Sequence, residues 1–408
     1  MPSREQIAVI KQTVPVLQQY GEQLARHMYA RMFEHNPEVR RYFNPAHQRS
    51  GKQQKALSDA VCAYAANIDN PAALAGAVEL IAQKHASLGI APEHYPIVGE
   101  HLLASIREVL GDAATDDIID AWAVAYGELA DLFIERERQI YVAQENQHGW
   151  AGFKPFVVTD REHVAHDVVS LHLAPADGRP LADHAPGRYV AVRPSDPDDG
   201  AEPRNYSLSN APGTPYYRIS IKHETAATAD APSGVFSSFA HQRLDVGDHI
   251  LVSPPCGEFT LNLPADPVRP LVFLAGGIGI TPLLSMLHAA LAEPGERPVV
   301  LIQAVRDRAR RPFADEIDAL AEQHPRLQVH VCYDQPAAGD VDATAAPASK
   351  GYIEAGLLDR LVGSAPAEYY FCGPQPMMAH VRGLLRDRGA PDDAVHYEFF
   401  GPAASLAA

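Results

Sequence analysis

The rhythm of apolar residues changes twice along this chain, and those two changes constrain its fold more than any other feature. Up to about residue 147 the apolar side chains recur in steps of three and four, the period of an amphipathic helix. Gln53, Leu57, Val61, Tyr64 and Ile68 form one such stripe, and Leu74, Val78, Ile81, His85 and Leu88 form another. After a short linker at 149–154 the step falls to two, most clearly in Tyr217-Arg218-Ile219-Ser220-Ile221-Lys222. Turns such as Asp245-Val246-Gly247-Asp248 separate these strands. From about residue 265, strand-like runs at 271–275, 299–305, 327–333 and 369–372 alternate with helix-like ones. The chain therefore reads as multidomain. An all-α part spans 1–147, an antiparallel β-barrel 151–262 and an α/β domain with a parallel sheet 263–408.

A length of 408 residues exceeds what one core holds, which agrees with several domains. The formal charge of −17 argues against nucleic acid as a partner, because phosphate contacts need a basic footprint. Cys62, Cys256, Cys332 and Cys372 are widely spaced, which suggests neither a disulfide framework nor a zinc site and fits a reducing compartment. The first residues carry Arg4, Glu5 and Lys11 and read as an amphipathic helix, not a signal peptide. Residues 270–292 lack Asp, Glu, Lys and Arg and are long enough to span a bilayer. Gly276-Gly277-Ile278-Gly279 and Thr281-Pro282 interrupt them, so a buried strand, a turn and a helix fit better. A cytoplasmic protein is expected. Asn36-Pro37, Asn70-Pro71 and Thr115-Asp116-Asp117 read as capped helix starts, and 334–350 as an Ala- and Pro-rich loop.

Several motifs suggest chemistry. Arg204-Asn205-Tyr206-Ser207 offers a guanidinium fork, an aromatic face and a hydroxyl for a phosphorylated planar ligand, with Tyr189 shortly before it. Gly277-Ile278-Gly279-Ile280-Thr281-Pro282 joins a strand to a helix, where glycines let a pyrophosphate approach the helix N-terminus. Cys372-Gly373-Pro374 ends a later strand, and Glu398-Phe399-Phe400-Gly401-Pro402 lies near the end. His85 on its apolar stripe is by itself an ordinary core or surface-edge histidine. Arg306-Asp307-Arg308 suits a ribose or a 2′-phosphate, and equally a solvated loop.

The ordered set from Tyr189 onward resembles the ferredoxin–NADP reductase family, in which a flavin-binding barrel precedes an NAD(P)-binding domain. Tyr29, Phe43, Gln53, Leu57, His85, Tyr95 and Glu135 match in order and spacing the haem-pocket positions of bacterial globins. A globin ahead of such a reductase is the arrangement of flavohaemoglobins, which the whole chain resembles.

That resemblance implies haem b, FAD and NAD(P)H as cofactors. His85 would be the iron ligand, with Tyr95 and Glu135 relaying hydrogen bonds to its outer nitrogen, although helical periodicity places Glu135 off the apolar stripe. Tyr29 and Gln53 would face the bound gas, with Phe43 and Leu57 shaping the pocket, and Lys84 and Glu398 would tune redox behaviour. Tyr189, Arg204, Asn205, Tyr206, Ser207, Phe399, Phe400, Gly401 and Pro402 would bind FAD. Gly277, Ile278, Gly279, Ile280, Thr281, Pro282, Cys372, Gly373 and Pro374 would bind NAD(P)H. The implied activity is nitric oxide dioxygenation, in which NAD(P)H reduces FAD, FAD reduces haem, and oxygen-bearing ferrous haem turns NO into nitrate. Alternatives are a flavohaem reductase acting on peroxide or ferric iron, or an oxygen-binding or sensing haemoprotein. NO and O2 would be the partners, with no obligate protein partner, and the distal pocket would have room for a lipid. Asn205, Arg188 and Phe399 depart from residues common in the family. The choice between NADH and NADPH stays open.

Overall fold

The computed structural model describes residues 2–43, 45–196, 202–224, 234–342 and 346–400, with the side chains at 46 and 47 left aside. The chain forms two compact units, one of Met1–Phe153 with Ala201–Pro203, the other of Lys154–Gly200 with Arg204–Ala408. Gly401 and Pro402 lie outside the described residues.

The first unit is helical: α1 (Arg4–His35), α2 (Pro45–Arg49), α3 (Lys52–Ala66), α4 (Ala75–Leu88), α5 (His94–Leu110) and α6 (Asp116–His148). Ser3 and Gln6 close a reciprocal capping box on α1. Thr115 accepts from the Ile118 amide at 3.4 Å, and Asp116 and Asp117 set negative charge at the positive end of α6. The two Asn-Pro pairs behave otherwise. Pro37–Tyr42 and Pro71–Leu74 are 3-10 turns, and neither asparagine side chain caps them. Asn36 instead donates to Glu38 and accepts from His101. Tight turns suit these sites because Pro fixes its own φ, and at Asn36 competing side-chain partners take the asparagine. Ile10, Leu17, Leu24 and Met28 of α1 pack with Leu102 and Ile106 of α5 and Trp122 of α6.

The second unit opens with β1 (Lys154–Ala165), β2 (Val168–Pro175), β3 (Tyr189–Pro194), β4 (Arg204–Ser207), β5 (Tyr217–Lys222), α7 (Val235–Gln242) and β6 (His249–Val252). Its antiparallel sheet runs β4-β3-β6-β1-β2-β5, and a bridge between Leu208 and Ile219 joins the two edges into a barrel. Alternation usually leaves one face of such a strand to water, yet Arg218 and Ser220 of β5 are buried too. The reason lies in the segment that follows the barrel.

That segment contains β7 (Leu271–Gly276), α8 (Ile280–Ala292), β8 (Val299–Val305), α9 (Ala314–Gln323), β9 (Leu327–Tyr333), β10 (Ala348–Lys350), α10 (Ala355–Val362), β11 (Glu368–Cys372), α11 (Gln375–Asp387) and β12 (Val395–Glu398). Its sheet is parallel throughout, in the order β10-β9-β8-β7-β11-β12. The stretch read as a loop to residue 350 ends in β10, a short polar strand on the edge of β9 that carries no hydrophobic pattern. Helix α8 is buried nearly all round, which accounts for its lack of charge. Arg218 ties the two sheets together. Its guanidinium donates to Glu316 on α9 at 2.8 and 3.1 Å and lies 4.8 Å from the ring centroid of Phe313. His288 on α8 meets the same carboxylate at 2.7 Å.

Strand order reverses between β7 and β11, and in such sheets ligands bind at the C-terminal strand ends beside the reversal. Glycines let these two ends approach. A Cβ on Gly279 would lie 2.3 Å from the Cys372 carbonyl oxygen, and one on Gly373 would lie 2.9 Å from the Gly276 Cα. Gly279→Ala should therefore destabilise the second unit by about 1–3 kcal/mol. Gly383→Ala, inside α11 with open space around it, should stabilise it by about 0.5–1 kcal/mol. Urea unfolding of the two variants tests the contrast, and equal effects would refute it.

Glu316 gives a pH prediction. Burial alone would raise its pKa, but hydrogen bonds from His288 and Arg218 and the Arg218 charge hold it down to about 2. A lowered folded pKa gives stability that is complete above the ordinary carboxylate range and lost as pH falls toward 2. Acid titration of unfolding should show this loss in the parent protein and a flatter acid limb in Glu316→Gln.

Candidate cofactor sites

In the helical unit, the apolar stripes on α3 and α4 are not the faces those helices bury most deeply. Helix α4 buries Ala82, Gln83, Ala86 and Ser87, while Val78, Ile81, His85 and Leu88 remain half-buried. On α3, Leu57, Val61 and Tyr64 are likewise half-buried against the core. Two helices that each leave an apolar stripe partly accessible suit a flat hydrophobic group.

The geometry at His85 suits a ligand to such a group. Its Nδ1 lies 2.8 Å from Glu137 Oε1 and 3.1 Å from the Tyr95 hydroxyl. A carboxylate only accepts, so Nδ1 carries the hydrogen and Nε2 presents its lone pair. Nε2 has no hydrogen-bond partner among the described residues. Tyr95 also donates to Glu137 Oε1, in a short hydrogen bond. Burial, then that bond and the carboxylate charge, push the Tyr95 pKa well up, so it stays a donor. Tyr126 donates to the Tyr95 carbonyl at 2.7 Å, and Phe133 stacks on Tyr95 at 6.4 Å.

The carboxylate in this relay is Glu137, which corrects the assignment to Glu135. Glu137 is 2% exposed, whereas Glu135 lies at the surface, bonded to Arg138 and Gln139. Residue 137 falls one turn beyond Phe133, on the buried line of α6 that continues to Ile140 and Gln144. Residue 135 falls on the solvent side. A charge on the buried line was the available signal, and the alternating Glu-Arg-Glu-Arg run hid it.

A second group of residues includes the phenol of Tyr29, which is 6% exposed. Burial raises its pKa, and the side chain of Gln53 beside it offsets this in part. Phe43 packs edge-on to Tyr29 at 5.4 Å. Phe33, which the sequence reading did not single out, lies 5.8 Å from Tyr29 and 5.3 Å from Phe43. Leu57 packs against the helical core to which Tyr29 belongs. Lys84 is half-buried on α4, and its carbonyl accepts from Ser87.

In the second unit, β3 and β4 pair with Tyr189 opposite Ser207 and Val192 opposite Arg204, so one hairpin brings together Tyr189, Arg204, Tyr206 and Ser207. The Ser207 hydroxyl is buried without a hydrogen-bond partner among the described residues, a donor that a bound polar group would satisfy. The ring of Tyr206 lies 5.6 Å from that of Phe236, which sets the first turn of α7 beside this hairpin. That helix start had not been recognised from the sequence, and its amides suit a phosphate. The Asn205 side chain is exposed. These features fit a flavin nucleotide.

At the β7–β11 reversal, Gly277, Ile278, Gly279, Ile280, Thr281 and Pro282 adjoin Cys372, Gly373 and Pro374. Thr281 Oγ1 donates to the Ile278 carbonyl at 3.0 Å and fixes the turn. Glu398 pairs in register with Cys372, and burial followed by the Glu398 charge pushes the Cys372 thiol pKa up, so the sulfur stays protonated. Phe399 packs on the core behind them, and Phe400 is exposed.

Together the units define a class, a globin joined to a nicotinamide-dependent flavin reductase. The globin family model matches residues 26–133, and the oxidoreductase NAD-binding domain model matches 273–383. A flavohemoprotein of Rhodopirellula baltica is 46% identical over 409 residues and covers 100% of both chains. One of Bordetella pertussis is 46% identical, with 98% of this chain and 99% of that one covered. The crystal structure of a flavohemoglobin from Malassezia yamatoensis, with bound FAD and heme, aligns at a TM-score of 0.82 and 29% identity, covering 98% of this chain and 99% of that one. The chain belongs to the flavohemoprotein family.

The relay predicts a contrast between neighbouring glutamates. Glu137→Gln should slow haem-dependent turnover about 10- to 100-fold, as loss of a ligand's hydrogen-bonding partner commonly does. It should also lower the iron–histidine stretching frequency of the ferrous protein. Glu135→Gln should change neither, and the same spectra on both variants test this.

Proposed function

We propose that this flavohemoprotein is a nitric oxide dioxygenase that draws electrons from NAD(P)H. The observation that carries the reading is the buried Glu137–Tyr95–His85 relay in a unit that also buries a phenol, Tyr29, beside Gln53. A carboxylate on the outer nitrogen makes the imidazole a stronger donor, and a phenol stabilises negative charge developing on a bound diatomic gas. That pair favours reductive activation of oxygen over simple storage. A further support is the FAD/NAD-binding domain of a nitric oxide dioxygenase from Vibrio cholerae, which matches at 29% identity and a TM-score of 0.52 over 61% of this chain and 99% of that one.

The cofactors are haem b, FAD and NAD(P)H, and each has residues suited to it. Bound there, they supply hydride acceptance, single-electron release and a redox-active iron. The chain's own groups do the rest. His85 offers Nε2 as the ligand, and Glu137 holds the Nδ1 hydrogen in place. Tyr29 keeps its proton and offers it as a hydrogen-bond donor, with Gln53 beside it and Phe43 and Leu57 limiting water. Arg204, Tyr206 and Ser207 orient the flavin, and the β7–β11 glycines admit the dinucleotide backbone. NO and O2 are the partners in this reading, and the chain acts without an obligate protein partner. No helix among the described residues is long and apolar enough to cross a membrane.

The test is NO consumption by the cofactor-loaded protein with NAD(P)H and oxygen. One nitrate should appear per NO consumed, at a rate far above reduction of peroxide or ferric chelates. Turnover that favours peroxide or ferric iron, or stable oxygen binding without NO consumption, would overturn the proposal. Tyr29→Phe should release oxygen faster and slow nitrate formation by about 10- to 1,000-fold, the range for removing one donor to developing charge. Flash-photolysis and stopped-flow rates measure both effects.

A further inference from the structure

The imidazole of His85 is held by more than the carboxylate it touches. Helix α4 meets α6 along small side chains, with Ala82 and Ala86 of α4 fully buried in one cluster with Ala130, Phe133 and Ile140 of α6. Packed helices lock in register when the side-chain ridges of one fill the grooves of the other. Two alanines make only a shallow ridge. Their contact brings the helices close but leaves α4 free to slide or turn on α6.

Polar ties supply the register, and they lie on both sides of His85. Before it on α4, Glu79 receives the guanidinium fork of Arg136, Nε on Oε2 and Nη2 on Oε1, the latter at 2.8 Å. Gln83, one turn further along and buried, donates to the same Oε1 at 2.9 Å and fixes the carboxylate against its own helix. The hydrogen bonds from Arg136 outweigh burial and hold the Glu79 carboxyl below the ordinary carboxylate range, so both oxygens accept. The guanidinium is oriented in turn by Gln139, whose Oε1 accepts from Nη1 at 3.1 Å. After His85, just past the Gly89 that ends α4, the Ile90 carbonyl accepts from the Tyr141 hydroxyl at 2.5 Å. Arg136, Glu137 and Tyr141 all belong to α6.

The fork does more for geometry than for stability. With Arg136 35% and Glu79 24% exposed, water screens the pair, and such pairs stabilise a fold little. A bidentate guanidinium nevertheless fixes both distance and angle. A helix tied to its neighbour at one point can pivot there, whereas one tied on both sides of His85 cannot. The bond between His85 Nδ1 and Glu137, at 2.8 Å, is directional, and a small pivot of α4 would lengthen or bend it.

We propose that the Arg136–Glu79 fork and the Tyr141–Ile90 bond position His85 on Glu137, and so set how strongly the imidazole donates to a haem iron. Arg136, Glu79 and Tyr141 are positioning residues in this proposal, which rests on the reading of His85 as the iron ligand. Resonance Raman spectra and potentiometric titration of the cofactor-loaded full chain test it, with Glu137→Gln as the reference for a broken relay. Arg136→Met removes the fork and keeps an apolar stem, and Tyr141→Phe removes one hydroxyl. Each should lower the ferrous iron–histidine stretching frequency. Each should also raise the haem potential, because a weaker donor stabilises ferric iron less. Both shifts should be smaller than in Glu137→Gln, and the double variant should move further than either single one. Haem-dependent turnover should fall by less than the about 10- to 100-fold expected of Glu137→Gln. Arg136→Lys cannot fork, so its readings should lie between those of the parent and Arg136→Met. Exchanging the charges, Glu79→Arg with Arg136→Glu, should bring both readings nearer the parent than Arg136→Glu alone. Tyr141→Phe leaves the ring in place and decides the case if the Arg136 variants take up no haem. Variants that unfold at lower urea yet keep the parent's frequency and potential would overturn the inference and leave the relay standing. If Glu137→Gln itself shifted neither reading, the relay would not act on the iron and both readings would fail.

Discussion

The polar contacts around His85 in the helical unit depend on one carboxylate placed where a carboxylate is costly. Glu137 is almost fully buried on α6, and taking a charge out of water costs several kcal/mol unless donors replace the lost hydration. Two donors converge on the same oxygen, the Tyr95 hydroxyl and His85 Nδ1. Each is fixed in turn, Tyr95 by Phe133 and by the bond from Tyr126 to its carbonyl, His85 by its place on α4. The carboxylate thereby sets the tautomer of the imidazole. It also couples α4, α5 and α6 at a single point.

The second unit solves a different problem by different means. The ends of β7 and β11 come so close that side chains cannot fit between them, hence the paired glycines there. Close approach of backbones demands rigid support, which the largely buried α8 provides from behind. The barrel is held against this layer by Arg218, whose guanidinium reaches Glu316 from the face of β5 that strand alternation would assign to water.

Much of this was legible in the sequence because periodicity reports burial. The span of β5, the limits of β8 and β9 and the start of α6 at Thr115 follow directly from alternation and capping chemistry. Short β10 and β12 did not, since edge strands of three or four residues carry no period to read. In the site, His85, Tyr95 and Tyr29 were found through resemblance, as apolar stripes alone do not distinguish a ligand from a core residue. Glu135 came from the resemblance and ran against the periodicity, and the buried line of α6 carries Glu137 instead. Phe33 and the start of α7 were invisible for another reason: their roles arise from contacts between elements distant in sequence.

Phe313, beside the Arg218 clamp, is the one non-glycine residue among those described with a left-handed backbone, at φ 59°. Such a conformation costs on the order of 1–3 kcal/mol for a bulky side chain. Glycine would relax the backbone there but remove the ring against which the guanidinium rests, and an aliphatic L-residue would keep the strain without an aromatic face. This position is thus trapped between two incompatible demands, so natural variation at it should be narrow and confined to flat, unsaturated side chains.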